Sequence, residues 1–574
     1  MSTTLQRTAA EPGTAVGPGQ RMTQRQVLEA LSGLLLGMFV SILAGTVVST
    51  SLPIIISDLG GSQASFTWVV TATLLATTVS TPIWGKLADL FNRKLLIQLA
   101  LLIFVVGSAA AGFSQGSGTL IALRVVQGLG AGGLTALSQI IMADIISPRE
   151  RGRYMGLFGA IMGVGTVAGP LLGGLITDSI GWRWNFFVGV PLAAVAILLL
   201  QKTLHLPKRP SHKVVIDYLG AALLAAGVSL LLVWVSLAGQ HYDWVSGTSA
   251  LMVGGSLMLL VALVVVELRA AEPIIPLSLF KNRTFTLPVV ASISVGVAMF
   301  GTSVFLSQYM QLARGKTPTI SGLMTLPMIG GLLISSAVVG QIITRTGTWK
   351  RFVVAGSVLL TVGMLLMSTI AYDTNFVLVS VYMFILGSGV GMVMQNLVLV
   401  VQNAVGPTEL GVASSGVTFF RSLGGTIGVS AMGAVLGAKV ANLIVARAAD
   451  LQAALSMLGA PGIALAKALQ SGTIPQVRDL PIGVRTIIES IYGQSVAAIF
   501  LVAAPLAVVT IIAVVLLPNL PLSTKTTQER IDDESDGAPR SSRELGSGAQ
   551  VEQTVEDVSL SFVAATPADP ERPR

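Results

Sequence analysis

The sequence places an arginine inside an apolar run: Arg124 follows Leu120-Ile121-Ala122-Leu123 and precedes Val125-Val126-Gln127-Gly128. A guanidinium in hydrocarbon is costly unless it is paired or hydrated, so Arg124 reads as facing a cavity or a polar partner. A structural arginine bonded to backbone carbonyls is the alternative these residues leave open. A second charged group is Gly85-Lys86-Leu87-Ala88-Asp89-Leu90-Phe91-Asn92-Arg93-Lys94, in which Asp89 sits among three bases at the end of an apolar block. There an acid can cap a neighbouring helix or pair with a base, latching two helices in one conformation and freeing them in another. Ordinary headgroup-level charge explains the same spacing.

Glycines form the third pattern. Gly159, Gly163, Gly165, Gly169, Gly173 and Gly174 lie along one block with Pro170, several pairs of them four residues apart. Such spacing strips one helix face of side chains and permits close packing, while the proline removes a backbone hydrogen bond. This predicts a hinge or a tight contact between halves; packing without motion fits equally. Further along, Gln308, Gln311, Gln395, Asn396 and Arg421 are polar groups at the depth of apolar blocks, with Met310 and Met394 beside them. Facing a central cavity they would bond substrate or water against a pliable sulfur-rich wall; facing neighbouring helices they are interhelical glue.

The elements that must position these residues are transmembrane helices. Charged residues make up 11% of the 574-residue chain, hydrophobic ones 52%, and the mean hydropathy is +0.79. The apolar residues come in blocks of about 20 or more, the length a helix needs to cross a bilayer, rather than in the alternating runs of about 10 that a barrel uses. Fourteen spans are predicted: 28–54, 65–88, 94–114, 118–145, 154–178, 184–204, 216–238, 247–268, 284–313, 319–344, 351–371, 376–403, 411–438 and 487–517. With both termini on the cytoplasmic side, sixteen Lys and Arg fall in inner loops, against three in the outer loops before residue 376. That asymmetry sets orientation and parity together.

Residues 1–27 and 521–574 read as polar, disordered tails, the second of them acidic, and 439–486 as an external loop carrying surface amphipathic helices. The Gly85 segment and Gly340–Arg351 occupy corresponding places, a faint internal repeat. It implies an N-terminal lobe of six helices (28–204), an inserted pair with its loops (205–283) and a C-terminal lobe of six (284–520). Cysteine is absent, which excludes disulfides and thiol chemistry. His205, His212 and His241 are scattered in loops, so no metal or cofactor is expected, and without a phosphate-binding loop or a nucleophile–base pair an enzyme is not expected either.

With these residues in place, the chain resembles the major facilitator superfamily, specifically its fourteen-helix drug:proton antiporter branch. The resemblance rests on Gly85–Lys94, on Leu120–Gly128 with Arg124 and Gln127, and on Gly165-x-x-x-Gly169-Pro170-x-x-Gly173-Gly174. Ser147–Arg153, Gln308–Pro318 with Gly322 and Pro327, and Arg421–Gly425 add to it. It implies that Gly85, Asp89, Arg93 and Lys94 gate the inner face, that Arg124 with Gln127 modulates coupling, and that Gly165, Gly169 and Pro170 form a bending or leak-proof contact. The first helix departs from the pattern: Ala44 stands where the family usually has an acid, and Leu90 and Asn92 replace an Arg and a Gly. Proton coupling would then fall to Asp144, Asp178 or Asp58, near predicted span ends. The expectation is a monomeric plasma-membrane exporter of amphipathic or apolar small molecules, in contact with lipid and protons and not with nucleic acid. A lipid or endogenous-metabolite exporter, or a non-transporting sensor or scaffold, are the alternatives.

Overall fold

The structure, a computed structural model, describes residues 24–60, 63–204, 206, 216–239, 241–459, 462, 477, 480–527 and 529–531. Its helices are α1 (Gln24–Asp58), α2 (Gln63–Leu90), α3 (Arg93–Gly112), α4 (Ser117–Ile145), α5 (Pro148–Ser179), α6 (Gly189–Thr203), α7 (Tyr218–Leu237) and α8 (Gly247–Glu267). There follow α9 (Arg283–Gln308), α10 (Pro318–Met324), α11 (Leu326–Thr346), α12 (Lys350–Met367), α13 (Phe376–Ala404), α14 (Leu410–Ala446), α15 (Ala448–Ser456) and α16 (Ile482–Leu516). Twelve stretches among the described residues are long and apolar enough to cross a membrane. The threonine-rich α2 and the glycine-rich α5 are not among those twelve but pack inside the first lobe, so the helix order is consistent with fourteen spans.

Short polar residues set the boundaries between helices. Asn92 accepts a bond from Lys94 N (2.9 Å), Asp217 from Gly220 N (2.7 Å) and Asn375 from Val377 N (2.9 Å), each satisfying an amide that a helix start leaves open. Such caps contribute about 1 kcal/mol apiece. Gly347, at φ +72°, ends α11 in the left-handed region where a side chain would be strained.

Packing repeats between the halves. In the first lobe α2 and α3 pack on α4, and α5 and α6 on α1; in the second, α11 and α12 pack on α13, and α14 and α16 on α9. Moving from α1 to α9 and onward therefore reproduces every pairing, which makes the fold two six-helix lobes of one design. The lobes meet along α2·α14 and α5·α11, two seams that the same correspondence exchanges. The extra pair α7–α8 lies beside the first seam: Leu224, Val228 and Leu232 cluster with Leu75 and Val79 of α2 and Phe419 of α14. Apolar side chains on the outside, such as Leu102, Met258, Val261 and Ile512, would be a liability in water and suit lipid.

Several boundaries differ from the sequence reading. Helix α1 starts at Gln24, inside the predicted tail, where the exposed Arg25–Glu29 pair (2.8 Å) supports an extra turn. Helix α14 continues to Ala446 rather than ending near 438, because Ala, Leu and Lys propagate a helix beyond the apolar layer. The predicted tenth span is broken at Thr325 into α10 and α11. The tail before Gln24, the His205 and His212 loop, most of 460–479 and the acidic tail past 531 lie outside the described residues.

Candidate functional site

The two seams are locked at one end of the bundle by charges placed on helix termini. At α2·α14 the Asp89 carboxylate accepts Gly411 N and Val412 N, both at 2.9 Å, at the start of α14. Those amides have no partner within their own helix, and the positive end of its dipole favours an anion. Arg93 holds the same carboxylate (3.0 Å), bonds Ala88 O (2.8 Å) and also pairs with Asp144 at the end of α4. Asp89 and Arg93 side chains are only 5% and 2% exposed, so this cluster is screened from bulk water. Gly85, one turn earlier, faces Gly411 and Ser415 so closely that any side chain would collide with them.

At α5·α11 the polarity is reversed. Arg149, at the start of α5, donates to the carbonyls of Thr344 (3.2 Å) and Arg345 (3.1 Å) at the end of α11, where a cation is favoured. Gly152 and Gly340 touch backbone to backbone here, as Gly85 and Gly411 do at the other seam. Between the seams, buried Arg151 donates to Gln402 (2.5 Å), Ala143 O (2.7 Å) and Ile146 O (2.9 Å). Gln402 in turn donates to Ser414 (3.0 Å), and Thr418 of α14 to Gln139 of α4 (3.2 Å).

The segment after α16 crosses this end as a strap. Trp349 Nε1 donates to Leu520 O (2.8 Å), Asn403 bonds Pro521 O (3.1 Å) and Ser523 N (2.8 Å), Arg149 N donates to Ser523 O (3.2 Å), and Thr527 to Ala143 O (2.8 Å). It thus ties the second lobe to the first. A cavity of about 90 Å³ lies under it, lined in part by Val27, Ser147, Tyr154 and Thr524. That is well short of the few hundred Å³ a drug-sized molecule fills, so it is not a cargo site.

Sequence reasoning grouped Gly85, Asp89, Arg93 and Lys94 at one gate; the structure puts the first three together and adds Asp144, which the sequence offered only as a separate candidate for proton coupling. Lys94 lies apart: its Nζ donates to Gln201 O of α6 (2.8 Å), within the first lobe. The glycine pattern divides between two neighbours. Gly165, Gly169 and Gly173 pack on Ile42, Thr46 and Val47 of α1, with Thr46 donating to Gly165 O (3.1 Å), so this contact lies inside one lobe. The glycines of α5 that meet the other lobe are Gly152, Gly159 and Gly163, against α11. Gly174 has open space beside it, and the side chains of Pro170 and Asp178 lie outside the described residues.

Arg124 is 3% exposed and donates to Gln127 (2.5 Å), so it turns into the bundle and not toward lipid. Asp58 accepts from Trp182 Nε1 (2.9 Å) and Arg183 (3.2 Å) at the opposite end, and these bonds hold its carboxyl below the usual carboxylate range. Of the predicted cavity residues, Met310 and Met394 are packed in the second lobe's core. Asn396 donates to Met392 O (2.7 Å) and Gln311 to Ser307 (3.0 Å). Gln395 and Arg421 are buried, and Gln308 keeps a buried Oε1 without a partner. Sequence reasoning did not single out Gln139, Thr418 or the strap. It held Arg151 only as part of the charge-rich Ser147–Arg153 run, and Gln402 and Asn403 only as polar groups at the depth of an apolar block.

A family model for the major facilitator superfamily matches residues 34–429. An uncharacterised MFS-type transporter of Mycobacterium tuberculosis is 38% identical over 542 residues, 93% of this chain and 75% of that protein. The multidrug transporter protein MdtP of Bacillus subtilis is 36% identical over 414 residues, 72% of this chain and 76% of the relative. Among solved structures, the proton:xylose symporter XylE aligns with TM-score 0.56 at 12% identity, covering 89% of this chain and 99% of its own, which bears on the fold alone. With two repeated six-helix lobes, seams locked by helix-end charges and these matches, the chain is a multi-pass membrane transporter, not an enzyme, and belongs to the major facilitator superfamily.

Proposed function

We propose that this protein exports amphipathic or apolar small molecules across the plasma membrane by alternating access, with protons as the counter-ion and both termini cytoplasmic. The observation that carries the reading is the Asp89 carboxylate seated on the α14 amides, a single ionisable group bridging the lobes at one of their two seams. Breaking it lets the lobes part at that end, which the distribution of Lys and Arg marks as cytoplasmic. Protons would act on the pair of acids, Asp89 and Asp144, that share Arg93. The multidrug name of the Bacillus subtilis relative supports export of varied compounds. Arg124, buried beside Gln127, would transmit the state of the cargo space to this cluster through α4, which ends at Asp144.

The test uses purified full-length protein in liposomes with a fluorescent amphipathic dye. Export should accelerate when the compartment that receives the dye is made acidic, and Arg124→Ala should abolish it while the protein still inserts. Equal rates with and without the pH gradient would remove the antiport claim; an active Arg124→Ala variant would refute that residue's role.

A further inference from the structure

The balance of fixed charge inside the bundle points to a class of cargo. Arg124 and Arg421 are 3% and 4% exposed, and both lie inside apolar stretches, about two turns into α4 and three into α14. Neither has a carboxylate partner among the described residues: the one side-chain bond shown is Arg124 to Gln127, and Arg124 Nε and Arg421 Nη1 are buried without an acceptor. Acids are placed elsewhere. Asp58, Asp89, Asp144, Glu267 and Glu409 sit at helix ends, and Glu489 is paired with Arg485 beside the Gly315 turn. Ala44 is packed in the apolar core of the first lobe.

Arg421 is also well placed for a cargo. It shares a face of α14 with Ser414 and Thr418, three positions spaced four and three residues apart, which therefore stack on one side of the helix. Ser414 bonds Gln402 and Thr418 bonds Gln139 of the other lobe. Arg421 is thus about one turn deeper than the last of those hydrogen bonds, the first charge met above the closed end.

A buried guanidinium without a counter-ion attracts an anion and repels a cation, most strongly where water is excluded. We propose that the cargo is an amphipathic anion whose acidic head pairs with Arg421, Arg124 adding to the positive field from the α4 side. This rests on the export reading above but not on protons as the counter-ion. An anion leaving a cell is driven outward by the inside-negative potential, so its export needs no titratable carrier in α1, where Ala44 stands.

The experiment uses two probes with one pyrene tail, pyrenebutanesulfonate and pyrenebutyl-trimethylammonium, with the full chain. Binding is read by tail fluorescence, and transport in liposomes under a potassium–valinomycin potential with equal pH on both sides. The sulfonate should bind at least tenfold more tightly than the ammonium, and its export should accelerate with a potential negative on the side it leaves. Arg421→Gln should bring the two affinities within about threefold of each other, while Arg421→Lys keeps the preference. Equal or tighter binding of the ammonium by the parent protein, or a preference that survives in a folded Arg421→Gln, would overturn the charge assignment. Transport of the ammonium alone would overturn it while leaving the export reading intact, whereas failure of both probes to bind or move would remove the export reading and this one with it.

Discussion

Replacing Asp89 by Asn tests the junction most directly, because it keeps the shape and removes the charge. The carboxylate accepts two backbone amides and one guanidinium in a site closed to water. Hydrogen bonds to a charged group contribute roughly 1.5–3 kcal/mol each, and a helix N-terminus adds about 0.3–1 kcal/mol for an anion. An Asn can accept from one amide while its own NH2 faces the other, and Arg93 retains Asp144, so the net loss is on the order of 2–4 kcal/mol. At about 1.4 kcal/mol per decade that weakens closure roughly 30- to 1,000-fold, enough to turn a closed majority into an open one. The chain contains no cysteine, so spin labels can be placed only where wanted. Labels at Leu95→Cys and Arg351→Cys, exposed positions at the starts of α3 and α12, would report the distance across this end. A single short population should give way to a longer one in Asp89→Asn, and Lys94→Ala should change nothing. An unchanged distribution in Asp89→Asn would show that the junction does not hold the lobes.

Three further outcomes follow from the same geometry. In Asn403→Ala the strap loses two hydrogen bonds, together about 1–3 kcal/mol, so trypsin should cut at the exposed Lys525 faster than in the parent; equal cleavage rates would mean the strap is held otherwise. Gly340→Val places a branched side chain against the Gly152 backbone, and the same spin-label pair should read the long distance; a short one would mean α5 and α11 can slide. Asp58 has a folded pKa depressed by Trp182 and Arg183, so its contribution is complete above the ordinary value near 4 and is lost only as pH falls through the lower folded value. The pH profile of export between about 5.5 and 8 should therefore be the same in Asp58→Asn and the parent, and a flattened profile would identify Asp58 as a proton carrier after all.

How much of this was legible in the sequence depended on distance along the chain. Spans were readable because hydrocarbon demands long apolar runs, and Asp89, Arg93 and the Gly85 segment because they lie within ten residues of one another. The partner of Asp89 is a pair of amides more than 300 positions away, and backbone amides leave no mark in a residue pattern. Gln139 and Thr418 read as ordinary polar residues, and Gln402 only as one of several polar groups at the depth of an apolar block, until folding brings two lobes together. The glycines show a different limit. Gly159 and Gly163 meet α11 of the other lobe, as Gly152 does, whereas Gly165, Gly169 and Gly173 of the same spaced series pack on α1. Spacing reveals that a face is bare, not which helix will lie against it.

The placement of the acids also decides where a proton can act on the proposed mechanism. Asp144 pairs with Arg93, a residue of its own lobe, and the bonds from Gly411 and Val412 across the seam end on Asp89. Neutralising Asp144 would leave the guanidinium wholly to Asp89 and so keep that carboxylate charged on the α14 amides. Neutralising Asp89 would strip the α14 amides of their anion and free the seam. The two acids therefore oppose each other through one arginine, and a proton passing from Asp144 to Asp89 would convert a charged lock into a released one without any carboxylate having to enter the hydrocarbon. That is a physical reason why this chain can dispense with an acid in α1, where Ala44 stands, while Asp89 and Asp144 sit at helix ends.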